Sequence, residues 1–148
     1  MGIIENEFSY PVDTRFKCTR CAICCGNTTT RTRHILILTK EADTISERTR
    51  KPITTFARKA PRRTPYSYEI KKTEHGKCTF LQRDVCTIYA IRPLVCRFYP
   101  FELKPKKNEK YRFKATLECP GLGSGKLLDK SYFSKLVKLA VDRIGPEP

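Results

Sequence analysis

Four cysteines stand within eight positions in CTRCAICC, residues 18 to 25, and four more follow at Cys78, Cys86, Cys96 and Cys119. A thiolate is a strong, soft donor, and tetrahedral zinc or an iron-sulfur cluster takes four of them from different parts of the backbone. A Cys-x-x-Cys step lets two sulfurs reach one ion from a single turn. Cys18, Cys21 and Cys24 therefore supply up to three ligands, with the opening spacing of the bacterial ferredoxin run. Cys25 follows with no spacer. Adjacent side chains diverge, so Cys24 and Cys25 are expected to serve different centres, or only one of them to bind. Cys78, Cys86 and Cys96 match no zinc-finger spacing, but a hairpin and a short helix would bring them together. Cys119 precedes Pro120, a pairing the ferredoxin run shares. Eight donors divide into two sites, Cys18, Cys21, Cys24 and Cys119 on one and Cys25, Cys78, Cys86 and Cys96 on the other. Against this stands the plainer reading that free cysteines are small buried apolar residues, stronger for the four spread cysteines than for the crowded run.

Compartment decides between metal and disulfide chemistry. The N-terminus MGIIENEFSYPVD lacks the basic and apolar regions of a signal peptide, and no run approaches the roughly 18 apolar residues of a membrane span. The expected setting is cytoplasmic, with no membrane, and there a dense cysteine set reads as metal binding or redox chemistry. The formal charge is +15, from 30 Lys and Arg against 15 Asp and Glu. Two four-thiolate sites would lower it to about +11, so part of the basic excess offsets thiolate charge. The remainder makes a polyanionic partner, nucleic acid or an acidic protein, plausible.

The elements that must position these thiols are short. Residues 1 to 16 read as an irregular lead-in that Phe8, Tyr10 and Phe16 tack onto the body. Gly26 ends the cysteine run, where freedom at positive φ suits a tight loop. HILILTK, 34 to 40, reads as a buried strand, and a helix follows from about Lys40 to Arg50 with Thr39 as its cap and Pro52 at its close. The basic, proline-punctuated stretch from Pro52 to Pro65 is expected to be a mobile surface segment. YSYEIKK alternates as a strand, turns at Glu74 to Gly76, and returns as a hairpin carrying Cys78. QRDV makes a second turn. Pro93 opens a short helix spanning Cys96 that Pro100 stops. YRFKATL, 111 to 117, reads as a strand leading to Cys119. Phe133, Leu136, Val137, Ala140, Val141 and Ile144 form an apolar stripe on a helix from about Leu128 to Ile144, ended by Gly145 and Pro146.

Taken together, CTRCAICC, GKCTFLQRDVCTIYAIRPLVCRFYPFEL and CPGLGSGK resemble the YkgJ-type cysteine-cluster family, a zinc- or iron-chelating domain whose motif set also occurs in flagellin lysine N-methylases. The family pattern is a Cys-x-x-Cys-x-x-Cys-Cys run, a Cys near Phe-Leu, a Cys-x-Ile-Tyr and an Arg-Pro-x-x-Cys-Arg-x-Tyr-Pro. It falls here on Cys18, Cys21, Cys24 and Cys25; on Cys78, Phe80 and Leu81; on Cys86, Ile88 and Tyr89; and on Arg92, Pro93, Cys96, Arg97, Tyr99 and Pro100. The similarity runs from about residue 16 to 128. Ala22 stands where members commonly have Gly, a change that restricts the first loop and removes no ligand. The resemblance implies chelation through cysteines. Methyl transfer belongs to larger relatives, and no S-adenosylmethionine site is readable here.

Other signals carry less. GLGSGK, 121 to 126, fails the P-loop pattern twice and reads as a flexible turn. Arg92 and Arg97 flank Cys96, where a guanidinium offsets thiolate charge and donates to sulfur; they are the expected cofactor-contacting residues. Tyr89 and Tyr99 read as core aromatics. His34 and His75 are not expected as ligands, because four sulfurs fill each site. Arg58, Lys59, Arg62 and Arg63, with Lys104, Lys106, Lys107 and Lys110, read as a solvated face before a phosphate-contacting one.

The expected protein is therefore a small single α+β domain over residues 1 to 148, with short strands, a C-terminal amphipathic helix and a cysteine-ligated metal core. It would chelate zinc or an iron-sulfur cluster such as 4Fe-4S, in one or two centres. Four cysteines per ion leave no open position, and Asp84 and Glu102 form no acid-base pair, so a structural or redox role stands ahead of catalysis. The alternatives are a zinc-stabilised nucleic-acid-binding module and a component of a protein lysine N-methylation system acting with a partner.

Overall fold

The computed structural model describes residues 8–105 and 111–145. Lys106, Lys107 and Lys110 of the basic stretch, and Pro146 beyond the last helix, lie outside the described residues. The fold is α+β, with short strands and a C-terminal helix. Arg20–Arg97 form one compact unit, here the central unit, and the segments before and after it form a second, flanking unit.

In the flanking unit β1 (Phe8–Ser9) pairs parallel with β9 (Tyr111–Ala115), which pairs antiparallel with β8 (Phe101–Pro105). The lead-in aromatics attach as expected: Phe8 meets Phe113 edge-on at 5.5 Å, Tyr10 stacks on Phe133 at 4.9 Å, and Phe16 meets Phe101 at 6.0 Å. The helix α4 (Lys130–Ile144) starts where the Asp129 carboxylate accepts the N–H of Tyr132 at 3.1 Å, an N-cap bond. It buries Phe133, Leu136, Val137 and Ala140, whereas Val141 of the expected stripe is exposed.

GLGSGK is no flexible turn. Leu122–Leu127 form β10, which pairs antiparallel, through a register shift, with β2 (Arg15–Phe16). Its glycines admit a close approach of two backbones: a Cβ at Gly121 would run into the Lys17 carbonyl, and one at Gly125 would lie 3.0 Å from that of Phe16.

In the central unit β5 (Tyr68–Ile70) lies between β3 (Leu36–Ile37) and β4 (Ala57–Lys59), antiparallel to both. The strand expected over 34 to 40 is cut short because α1 (Thr39–Thr49) begins inside it. Leu38, and not Thr39, holds the cap position. The Glu41 carboxylate accepts the Leu38 N–H at 2.9 Å, while the Thr39 hydroxyl bonds to that of Ser67 at 2.7 Å. Residues 52 to 65 are not simply a surface loop, since α2 (Ile53–Phe56) and β4 lie within them and Phe56 and Ala57 are buried. The core gathers Ile35, Ile37, Ala42, Ile45, Phe56, Ile70, Phe80 and Ile88, and the thiols of Cys25, Cys78, Cys86 and Cys96 lie in or against it.

Two further pieces carry cysteines. The strands β6 (Leu81–Gln82) and β7 (Val85–Cys86) form a hairpin whose two-residue loop, Arg83 and Asp84, has φ of 50° and 63°. Positive φ at both positions matches the right-handed twist of the strands and places Cys86 opposite Leu81. The helix α3 (Leu94–Phe98) carries Cys96 after Pro93, as expected.

Candidate metal centre

The cysteine run enters the central unit through a strained loop. Arg20 and Ala22 have φ of 55° and 67°, and a short 3-10 turn, Ile23–Cys25, closes with the Cys25 N–H on the Ala22 carbonyl at 3.0 Å. A non-glycine residue in that region costs on the order of 1 kcal/mol. Ala22→Gly is accordingly expected to stabilise the protein by up to about 1 kcal/mol, read as a higher urea midpoint with unchanged slope.

Gly26 is needed for a different reason than positive φ. Its φ is −177°, but a Cβ there would lie 2.7 Å from the Gly76 carbonyl oxygen. That closeness lets residues 25–27 bridge to 76–78: Asn27 N–H donates to Gly76 at 2.9 Å, and Cys78 N–H donates to the Cys25 carbonyl. Cys78 is thereby fixed beside the run, on the returning arm of the expected hairpin.

The thiols converge in part. The sulfurs of Cys24 and Cys25 are 4.0 Å apart, so the adjacent pair does not diverge and Cys24 does not stand apart from Cys25 as the expected division placed it. The 3-10 turn rotates both side chains to one side. Cys25 also hydrogen-bonds to Cys86, and Cys24 interacts electrostatically with Cys78, Cys86 and Cys96. Five thiols from four segments thus share one neighbourhood. As they stand Cys25 bonds to Cys24 and to Cys86, and among the described residues no three His, Cys, Asp or Glu side chains surround a common point.

Their protonation is uneven. The hydrogen bond from Cys25 brings Cys24 down to about 6, with Arg33 and Arg92 adding to the effect against burial. A hydrogen bond with the same Cys25 brings Cys86 down to about 7. Cys25, hydrogen-bonded to both and partly buried, is pushed far up. Burial raises Cys78 to about 11 and Cys96 to about 12. A lowered thiol favours the folded state above its unfolded value near 9.0, and that contribution fades as pH falls through 7 and then 6. The raised thiols act oppositely: their contribution is full below 9.0 and is lost as pH rises through 11 to 12. At pH 7, iodoacetamide should modify Cys24 and Cys86 well ahead of Cys78 and Cys96. Mass spectrometry of the metal-stripped protein should show labelling at Cys24 falling about tenfold per pH unit once below its pKa.

Cys18 and Cys21 are exposed. Cys119 is buried in the flanking unit, which also holds Cys18; there Lys17 N–H donates to the Gly121 carbonyl at 3.1 Å. The Arg92 guanidinium lies 3.8 Å from the centre of the Tyr89 ring, which Arg20 also approaches at 4.5 Å, and its charge reaches Cys24 and Cys86. Arg97 donates to the Ala90 carbonyl at 3.2 Å. His34 bonds to Glu69 at 3.0 Å, Arg58 lies 3.7 Å from the same carboxylate, and His75 lies beside Glu74. Lys104 pairs with Glu102, while Lys59, Arg62 and Arg63 are exposed.

Arg33 was not singled out by its sequence context. It is buried, 8% exposed, and its charge acts on Cys24, Cys78 and Cys96. The signal that would have found it is period two: Arg33, Ile35 and Ile37 are buried, while His34 is exposed.

Residues 17–120 match the model of the family described as "CxxCxxCC: Putative zinc- or iron-chelating domain". The chain belongs to this family. Its CxxCxxCC run is the one that the 3-10 turn folds, and metal binding is the property the family description carries. An uncharacterized protein of Methanocaldococcus jannaschii, MJ0661, is 35% identical over 89 residues, 55% of this chain and 47% of the relative. The match therefore covers about half the length of that curated relative. No solved structure gives a significant match. Among the described residues, no helix of this CxxCxxCC protein is long and apolar enough to cross a membrane.

The donor chemistry fits such an ion. Zinc–sulfur bonds of about 2.3 Å put tetrahedral thiolates roughly 3.8 Å apart, close to the 4.0 Å between Cys24 and Cys25. A divalent ion on four thiolates carries a net charge of about −2, which the charges of Arg33 and Arg92 would offset.

Proposed function

We propose that this CxxCxxCC protein holds a zinc or iron centre in its central unit on thiols drawn from Cys24, Cys25, Cys78, Cys86 and Cys96, in a structural or redox role. The observation that carries the reading is Cys25, a thiol hydrogen-bonded both to its neighbour Cys24 and to Cys86 on a separate hairpin. Small apolar cysteines do not need one another. A cluster of thiols with two of them held toward the thiolate, chiefly by their hydrogen bonds to Cys25 and further by guanidinium charge, is what a soft cation requires. The short Cys24–Cys25 separation favours two thiols on one metal atom over a four-iron cluster, which takes one thiolate per iron.

Anaerobic purification followed by metal and acid-labile sulfide analysis tests this. About one equivalent of zinc or iron without sulfide is the expected result. Iron with matching sulfide and a brown colour would replace the single ion with a cluster on the same thiols. Neither metal in stoichiometric amount, on a protein that stays folded in chelator, would remove the metal reading.

A further inference from the structure

We infer that Arg33 is the positioning residue of this thiol centre, a buried cation that clamps the cysteine-bearing segments into register and stays to balance their charge when metal binds. The inference rests on the metal-binding reading above and adds a residue outside the cysteine motifs.

The geometry is specific. The guanidinium Nε donates to the carbonyl of Cys24 at 3.0 Å, and Nη2 reaches the carbonyl of Val95, next to Cys96, at 3.4 Å. One planar fork therefore ties the 3-10 turn of the cysteine run to α3. The Arg33 backbone is itself held at both ends. Its N–H donates to Asn27 Oδ1 at 2.8 Å, and its carbonyl accepts from Lys72 Nζ at 2.7 Å. Lys72 also donates to Asn27 Oδ1 at 2.9 Å and sits in the bridge opposite Cys78. The segments of Cys24 and Cys25, of Cys78 and of Cys96 are thus all fastened within one or two hydrogen bonds of Arg33.

The charge has a matching logic. Burying a guanidinium against carbonyls alone is costly, and its charge acts on the thiols of Cys24, Cys78 and Cys96. Arginine keeps its proton at any working pH, so the balance does not depend on conditions, and its planar fork can face two carbonyls at once. Lysine at this place would keep the charge and lose the fork.

The test uses the full chain, stripped of metal, with Arg33→Met, Arg33→Lys and the surface control Arg62→Ala. Zinc affinity is measured by competition with a chromophoric chelator, cobalt substitution reports thiolate geometry through its ligand-field bands, and urea unfolding of the metal-free forms reports stability. Arg33→Met is expected to weaken zinc binding by about 10–100-fold and to shift the cobalt bands, with Arg33→Lys between it and the wild type. Unchanged affinity and unshifted bands in both variants would overturn the inference, even with a lowered urea midpoint, because Arg33 would then serve folding alone. If Arg33→Met does not fold, Arg33→Lys decides: weakened binding with shifted bands supports the clamp, and wild-type behaviour overturns it. A wild type that takes up neither zinc nor cobalt would fail the metal reading itself, before any variant is compared.

Discussion

Cys25→Ala should lose zinc affinity on the order of a hundredfold while leaving most of the fold in place. If a structural thiolate site is worth about 10–16 kcal/mol over four ligands, one ligand accounts for roughly 3 kcal/mol. Cys25 is hydrogen-bonded to two others, so its loss also removes the partner that holds Cys24 and Cys86 toward the thiolate. Both should then move back up toward an ordinary thiol, and their alkylation at pH 7 should slow. Chelator competition reads the first effect and the labelling rate the second. The alanine protein binding zinc as the wild type does would place Cys25 outside the centre.

The second large effect lies away from sulfur. The Glu41 carboxylate is buried and accepts from two backbone donors, Leu38 N–H at 2.9 Å and Leu94 N–H at 2.6 Å. It thus caps the start of its own helix, α1, and the start of α3, which carries Cys96. Glu41→Ala leaves both donors buried without that acceptor. At about 1–3 kcal/mol for each unsatisfied group, the expected loss is roughly 3 kcal/mol of unfolding free energy. Glu41→Gln retains an amide oxygen for one of them and should lose about half as much. Urea unfolding at constant slope measures both. A loss in Glu41→Ala no greater than that of an exposed substitution would mean that α3 is held by packing alone.

What the sequence made legible follows the physics of each signal. α4 was readable because six apolar residues at helical spacing have one simple explanation; four of them are buried, Ile144 is half-buried and Val141 is exposed. The hairpin carrying Cys78 and the helix carrying Cys96 were readable from turn and proline chemistry. GLGSGK misled because glycine marks both flexible turns and places where two backbones nearly touch, and composition does not distinguish them. Pro52 to Pro65 misled because its charges outnumber its buried residues, although Phe56 and Ala57 anchor it to the sheet. The thiols themselves were obvious, but their grouping was not. The 3-10 turn at Ile23–Cys25 decides which way Cys24 points, and it depends on left-handed backbone at Ala22 that no local preference of alanine would announce. Arg33 was passed over because a charged residue in a polar stretch is ordinarily at the surface.

The division of the chain into units sets an order of assembly on the ribosome. The cysteines of the central unit lie in one uninterrupted stretch, Arg20–Arg97, whereas the flanking unit needs Phe8 beside Tyr111. At about 5–20 residues per second, β1 waits on the order of ten seconds for its partner strand. The central stretch is completed within that interval, 14 residues before Tyr111, which leaves it about one to three seconds to fold ahead of β9. The emerging chain is then exposed to metal, or to oxidant, before the flanking unit exists.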